Sequence, residues 1–429
     1  MYTAQGFALG RREEILGRGK EKLVRALEGK LVVLGVSGGI SAYRSCELVR
    51  LLVKAGAEVQ AVLTDSAARF VGPLTFQALC GRPAAVGCGV EMAGAGMQHI
   101  DLGRESALVI VAPCTANTLA KLACGLADNL LCTTVLASTC PVLVAPAMNS
   151  RMWANPLSQQ NARRLERLAR FHLVGPASGS LACGEEGTGR MAEPEAIFES
   201  AVRLLTSADL AGCKLLVTAG PTREPIDAVR FLSNRSSGRM GLALARQAAR
   251  RGAEVVLVLG PGELEPPPGV QCVRVGTAAE MATAVRKHAR GAQAVLMAAA
   301  VADFRPRRRV EGKLKKAAGM PRIELERTDD ILAGLGRGKS RPILVGFAAE
   351  SGDPLEAARS KLERKHCDLI VANDVSLPGA GFEVETNRVH LVDEGGAEAL
   401  PMMSKDEVAE RVLDRVAALI AAAGKRRAR

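Results

Sequence analysis

The sequence predicts two successive doubly wound α/β domains, each built in three layers. Short apolar runs of buried-strand length alternate with stretches of helical periodicity, and each half opens with such a run leading into a glycine turn. The 429 residues, at about 150 per domain, leave room for roughly two to three cores. Alternating strands and helices at this spacing imply parallel sheets covered on both faces.

Residues 1–29 stand apart as an extension in which 10–28 has the pattern of a basic amphipathic helix. The first domain, 30–206, opens with the apolar run Leu31 to Val36, a Ser37-Gly38-Gly39 turn, and a helical pattern from Ile40 to Ala55 stopped by Gly56. A strand is expected at Glu58 to Leu63, followed by a helix-cap signal at Thr64-Asp65-Ser66. Strands at Leu108 to Ala112 and Pro141 to Ala145 bracket a helix running through Ala127. Small and polar residues over 207–213 mark a linker. The second domain, 214–429, restarts the pattern with a strand at Leu215 to Thr218, a turn at Ala219 to Thr222, a helix from Met240 to Arg251 and a strand at Val255 to Leu259. Later buried strands are expected at Ala294 to Ala302, Ile343 to Ala348 and Leu369 to Ala372.

With 48% hydrophobic and 24% charged residues, a disordered or collagen-like chain is excluded. The net charge of +12 favours anionic partners. Much of the excess lies in the terminal segments, where solvated charge is the plain explanation, and only 3% aromatic residues argue against stacking single-stranded nucleic acid. Eleven cysteines, an odd number without a Cys-x-x-Cys pair or a secretory start, read as reduced thiols. No uncharged apolar run approaches the ~18 residues that span a bilayer. A cytoplasmic protein with neither membrane nor nucleic-acid function is expected.

Several motifs sit where chemistry collects. A strand feeding Ser37-Gly38-Gly39 and a helix start would aim backbone N–H groups at a phosphate, although the spacing is not the full G-x-G-x-x-G. The Gly334 to Ser340 stretch imitates a phosphate loop but has Ala333 at the glycine position and is followed by Pro342 and a strand, so it is set aside. His99, read alone, has an ordinary structural reading, and Asn149, just past a strand's carboxyl end, can either cap a helix or donate to a substrate carboxylate. Ser178 to Arg190, glycine-rich around Cys183, has the composition of a mobile flap. In the second half Asn234 to Gly238 gathers donors before a helix. Asp303 ends a buried strand, and Lys313, Lys315, Lys316, Lys361 and Lys365 would together suit a triphosphate.

The order of these motifs resembles one family closely. Ser37 to Tyr43, His99 to Leu102, Ala112 to Thr118, Pro146 to Asn149, Ala182 to Gly184, Gly189 to Met191, Thr218 to Pro225, Ser233 to Gly238, Ala299 to Asp303, Lys313 to Lys316 and Val345 to Glu350 follow the bifunctional phosphopantothenoylcysteine decarboxylase/phosphopantothenate–cysteine ligases of coenzyme A biosynthesis. The resemblance runs from about Lys30 to the carboxyl terminus.

It implies a flavodoxin-like FMN domain followed by a Rossmann-like ligase domain. Ser37, Gly38, Gly39, Thr64 and Thr115 would hold FMN. The substrate would be 4'-phosphopantothenoylcysteine, oxidised at its thiol so that carbon dioxide can leave, then reduced to 4'-phosphopantetheine. His99 would act as base, Asn149 would bind the departing carboxylate, and Cys183 would return a proton.

The ligase half would activate 4'-phosphopantothenate with CTP and Mg²⁺, whose ligands are not assigned, and join it to L-cysteine. Asn234 would handle the acyl-cytidylate, with Lys313 catalytic as well as phosphate-binding. Met297, Ala298, Ala299, Asp303, Asp329, Asp330, Ile331, Leu332, Phe347, Lys361 and Lys365 would complete the nucleotide site. A homo-oligomer is implied, with trimeric decarboxylase contacts, dimeric ligase contacts and a dodecamer as one arrangement. The chain departs from the family pattern at Cys114, Ala107, Arg239 and the Asp329-Asp330 pair. A noncatalytic flavoprotein regulatory subunit is the alternative, and a nicotinamide-dependent dehydrogenase is disfavoured by the incomplete glycine fingerprint.

Overall fold

The structure is a computed structural model that describes residues 27–87, 98–180, 186–313, 322–338, 341–350, 352–377, 379, 381 and 384–427. The expected helix over 10–28 therefore lies almost wholly outside the described residues. The chain divides into two compact units, one made chiefly of residues 25–211 and the other chiefly of 212–429.

In the first unit β1 (Leu31–Val36), β2 (Glu58–Leu63), the short β3 (Ala85–Val86), β4 (Leu108–Cys114), β5 (Val142–Pro146) and β6 (Phe171–Leu173) form a parallel sheet in the order 3-2-1-4-5-6. With the two-residue β3 set aside, the remaining strands in chain order run 2-1-3-4-5, the flavodoxin arrangement. The apolar runs form strands because both faces are covered. Val32, Leu34, Leu108 and Ile110 enter one core with Leu48 and Leu52 of the Arg44–Lys54 helix and Ile197 of the Pro194–Leu205 helix. The alternate residues Val33, Val109 and Val111 enter a second core with Leu119 of the Ala116–Cys124 helix and Leu131 of the Leu130–Ala137 helix. Each fully buried leucine contributes about 1.5–3 kcal/mol. Leu27, fully buried, joins the first core and its N–H bonds the Ala55 carbonyl at 3.0 Å. The packed body thus begins before Lys30, because an apolar side chain there finds the end of the first helix.

An antiparallel ribbon of β7 (Ala177–Ser180) and β8 (Glu186–Arg190) follows the sheet. The expected helix from Ile40 to Ala55 is a 3-10 turn, Ile40–Tyr43, leading into the Arg44–Lys54 α-helix.

In the second unit β9 (Lys214–Ala219) is followed by a ribbon of β10 (Arg223–Pro225) and β11 (Phe231–Ser233), then β12 (Glu254–Leu259), β13 (Gln271–Arg274) and β14 (Ala294–Met297). A second ribbon, β15 (Phe304–Pro306) and β16 (Leu325–Arg327), precedes β17 (Ile343–Glu350) and β18 (Leu369–Asp374). The chain then makes β19 (Thr386–Asn387), β20 (Val389–Asp393), β21 (Gly396–Ala399) and β22 (Met403–Ser404). The main sheet runs β13-β12-β9-β14-β17-β18-β20-β21, parallel through β18 and antiparallel beyond. Its parallel part, renumbered from β9, has the Rossmann order 3-2-1-4-5-6.

The strand expected over Ala294 to Ala302 ends at Met297. Beyond it the backbone bonds turn away from the sheet: Ala299 N–H donates to Thr218 Oγ1 at 3.1 Å, Ala300 N–H to Gly220 O at 3.0 Å and Ala302 N–H to Thr222 Oγ1 at 3.0 Å. Among the described residues no helix is long and apolar enough to cross a membrane.

Candidate active sites

In doubly wound sheets ligands collect beyond the carboxyl ends of the strands, near the point where strand order reverses. In the first unit that point lies between β1 and β4, and a cavity of about 1160 Å³ opens there. Gly38, Gly39, Thr64, Thr115 and Asn149 all line it. Gly38 cannot be another residue without displacement, since a Cβ there would lie 2.3 Å from Ser66 Cβ and 2.8 Å from its carbonyl carbon. The close approach leaves backbone rather than side chain facing the cavity.

Three side chains hold the rim by capping helices. Thr64 Oγ1 accepts from Ala67 N–H at 3.2 Å, Thr115 Oγ1 from Thr118 N–H at 3.5 Å, and Asn129 Oδ1 from Cys132 N–H at 3.0 Å. Each hydroxyl or amide thus satisfies a helix end while fixing its own position. Ser37 is 1% exposed and does not line the cavity. Its Oγ donates to Pro113 O at 2.7 Å and accepts from Thr115 N–H at 3.0 Å, tying the end of β1 to the end of β4 beneath the site.

Asn149 starts the Ser150–Ala154 helix, and its Oδ1 accepts from Arg151 N–H at 2.8 Å. With the oxygen engaged, the amide nitrogen is the end suited to an anion. The β8 strand lies directly on this turn: Met148 N–H donates to Gly189 O at 2.9 Å, and a Cβ on Gly189 would fall 2.3 Å from Met148 O. The glycines of the Ser178 to Arg190 stretch therefore include close-packing positions.

His99 sits half-buried in the first turn of the Gln98–Glu105 helix and is not among the cavity's lining residues. That helix packs through Gly103, whose missing Cβ would be 3.0 Å from the Ala137 carbonyl carbon. Cys183 lies outside the described residues. Cys114, one of the departures from the family pattern, is fully buried, and burial pushes its thiol far above the usual range, so it is inert.

In the second unit a cavity of about 610 Å³ opens at the ends of β14 and β17. Met297, Ala299, Asp303, Asp329, Asp330, Ile331, Leu332, Phe347, Lys361 and Lys365 line it. Ala298, Asn234 and Lys313 do not. Asn234 instead donates through Nδ2 to Ala300 O at 3.0 Å, bracing the loop that follows β14, and Lys313 is exposed.

Lys361 donates to the Phe347 carbonyl. Burial, and then the charge of Lys365, lower its pKa. Burial alone would raise the Asp330 carboxyl, but the Ala333 N–H, bonded at 3.0 Å, and Lys365, paired at 3.0 Å, outweigh it and hold the carboxyl below the usual range. Asp329 pairs with Arg286 at 2.7 Å, so the added carboxylate has its own counter-charge. Arg239 pairs with Glu385.

Sequence inspection gave no site role to Arg44, Asn117, Lys121, Asn129 and Arg190, which line the first cavity. Asn117 and Arg190 lie within motifs named above, and Asn129, an asparagine immediately before an apolar run, carried a local signal as a helix cap. The others are brought in by the way strands and helices fold back.

The two sites belong to a two-module class: residues 21–206 match the flavoprotein family model and 210–420 the model described as DNA/pantothenate metabolism flavoprotein C-terminal domain. The coenzyme A biosynthesis bifunctional protein CoaBC of Vibrio cholerae is 44% identical over 394 residues, covering 91% of this chain and 98% of that protein. The protein of the same name from Bacillus subtilis is 45% identical over 405 residues, covering 93% of this chain and 100% of its own. The chain belongs to the CoaBC family of bifunctional coenzyme A biosynthesis proteins. Among solved structures, the C-terminal domain of a CoaBC protein is 42% identical over 50% of this chain and 99% of its own, with TM-score 0.44. A PPC decarboxylase mutant complexed with pantothenoylaminoethenethiol is 36% identical over 41% of this chain and 97% of its own, with TM-score 0.37.

Proposed function

We propose that this chain is a cytoplasmic enzyme with two activities: CTP-dependent joining of 4'-phosphopantothenate to L-cysteine in the second unit, and FMN-dependent decarboxylation of the resulting 4'-phosphopantothenoylcysteine in the first. The observation that supports this best is the near full-length match to bifunctional proteins of coenzyme A biosynthesis.

The first cavity fits FMN. The Cβ-free approach at Gly38 and the backbone of Gly39 suit a phosphate, Thr64 and Thr115 flank it, and Ser37 braces the turn from below. Bound FMN would supply reversible oxidation of the substrate thiol. The chain's own part is to orient and to shield. Asn149 would donate to the substrate carboxylate without fixing a cation beside it, so that loss of carbon dioxide is not opposed by a salt bridge. Cys183 would deliver the final proton. His99 would act as base.

Since His99 lies outside the cavity of its own chain, while Ile40, Tyr43 and Met152 line that cavity with apolar side chains 60%, 56% and 50% exposed, a homo-oligomer with trimeric decarboxylase contacts is favoured. Dimeric ligase contacts, and a dodecamer combining both, complete the proposal.

In the second cavity Lys361 and Lys365 would stabilise charge on the transferring nucleotide, with Lys313 joining them from its exposed position. Asp303, Ala298 and Phe347 would bound the base and ribose, and Asn234 would orient the activated acyl group. Mg²⁺ would accompany the triphosphate and offset its charge, with no protein ligand assigned to it.

The test supplies purified protein with 4'-phosphopantothenate, L-cysteine, Mg²⁺ and CTP while pyrophosphate and carbon dioxide are followed. Release of both supports the reading. A flavin-bound protein that releases neither would instead be the noncatalytic regulatory subunit.

A further inference from the structure

Among the described residues three cationic side chains line the first cavity: Arg44, Lys121 and Arg190. Lys121 is matched one to one by Asp128, at 2.6 Å. The arginines are not matched in this way. Both pair with the single carboxylate of Glu193, Arg44 through Oε2 and Arg190 through Oε1. Glu193 precedes the Pro194–Leu205 helix, makes no capping bond to its backbone and pairs with the arginines. Pro194 fixes the backbone at the start of that helix, so Glu193 leaves from a set point of the chain. Glu47, one turn on from Arg44, makes no ion pair with it. Two guanidiniums, each with N–H donors beyond those Glu193 takes, therefore share one paired carboxylate at the cavity wall, with Glu47 acting on Arg44 only through space. Arg44 is the buried member, at 14% exposure, and Arg190, at 40%, the accessible one.

On the function proposed above, three ligand anions must be accommodated. The flavin phosphate falls to the glycine turn and the departing carboxylate to Asn149. We propose that Arg190, backed by Arg44 and only partly neutralised by the carboxylate of Glu193 that the two share, is the subsite for the phosphate monoester of the substrate, and so a specificity-determining residue of the decarboxylase half. A planar guanidinium presenting parallel N–H groups suits a phosphate better than an ammonium would.

The test measures binding of 4'-phosphopantetheine and of pantetheine to the flavin-loaded full chain by calorimetry, for the wild type, Arg190→Gln, Arg190→Lys and Glu193→Gln. The wild type should prefer the phosphorylated ligand. Arg190→Gln should weaken that ligand about 10- to 100-fold and leave pantetheine alone. Arg190→Lys should keep part of the preference. Glu193→Gln, which removes the competing carboxylate, should preserve or raise it. A role limited to holding the fold would move both ligands together and would give Arg190→Gln and Glu193→Gln the same sign, and either result overturns the subsite. Release of flavin by Arg190→Gln overturns it too, by placing the arginine on the cofactor. A wild type that shows the phosphate preference but evolves no carbon dioxide would sink the decarboxylase reading and leave the subsite standing.

Discussion

At the scale of single residues, the first site depends on one missing methyl group. Gly38→Ala places a Cβ within 2.8 Å of the Ser66 backbone, and the backbone shift needed to relieve it should cost on the order of 1–3 kcal/mol. The purified variant should be folded and should lack the flavin's visible absorbance; retained colour would show that the turn does not hold the phosphate. A second residue reports through pH. Lys405 is 5% exposed and donates to Gly381 O at 3.0 Å, and burial, reinforced by Arg239 and only partly offset by Glu385, lowers its pKa to about 8. Its charged form is disfavoured in the folded state, so the penalty is fully present below pH 8. It is relieved as pH rises toward the unfolded lysine value. Urea denaturation of the second unit at pH 7 and pH 9.5 should show wild-type stability gaining on that of Lys405→Met at the higher pH. An unchanged difference would contradict it. Strand ends were legible in the sequence because a buried apolar run has few ways to end, but it was the family resemblance that grouped Gly38, Thr64, Thr115 and Asn149, which line one cavity. Arg44 and Arg190 were given no role, although Arg190 lies in the Gly189 to Met191 motif, since composition alone does not distinguish a cavity arginine from a solvated one.

At the scale of elements, β8 lines the cavity at Gly189 and Arg190 and packs on the Asn149 turn. Gly189→Ala would drive a Cβ into the Met148 carbonyl at 2.3 Å and push β8 off that turn. Flavin content should stay at the wild-type level while carbon dioxide release falls about 100-fold or more, measured by gas evolution from 4'-phosphopantothenoylcysteine; equal loss of flavin would mean that the ribbon supports the whole unit. The long apolar strands β1, β2, β4, β5, β9, β12, β17 and β18 could be read from sequence because burial on both faces writes a continuous run. The ribbons could not. Their strands are short and carry little apolar patterning, and their pairing is set by tertiary contact. The overextended strand at Ala298 to Ala302 failed for the opposite reason: the residues are apolar, but Thr218 and Thr222 take their backbone bonds.

At the scale of the molecule, two sheets of the same doubly wound plan carry different cavities, one wide and glycine-walled, the other narrower and lysine-lined. The repeat of plan was visible as two strand-and-glycine openings. The division of labour was not visible in that repeat, because it resides in loops and helix ends, and it was read only through the resemblance of the motifs there. If each cavity serves one reaction, damage to one should leave the other intact. The most direct measurement supplies Asn149→Ala with 4'-phosphopantothenate, L-cysteine, Mg²⁺ and CTP and follows both products at once. Pyrophosphate should appear at the wild-type rate while 4'-phosphopantothenoylcysteine accumulates and carbon dioxide is suppressed; carbon dioxide release at the wild-type rate, or joint loss of both products from a folded protein, would contradict the assignment of separate chemistry to the two halves.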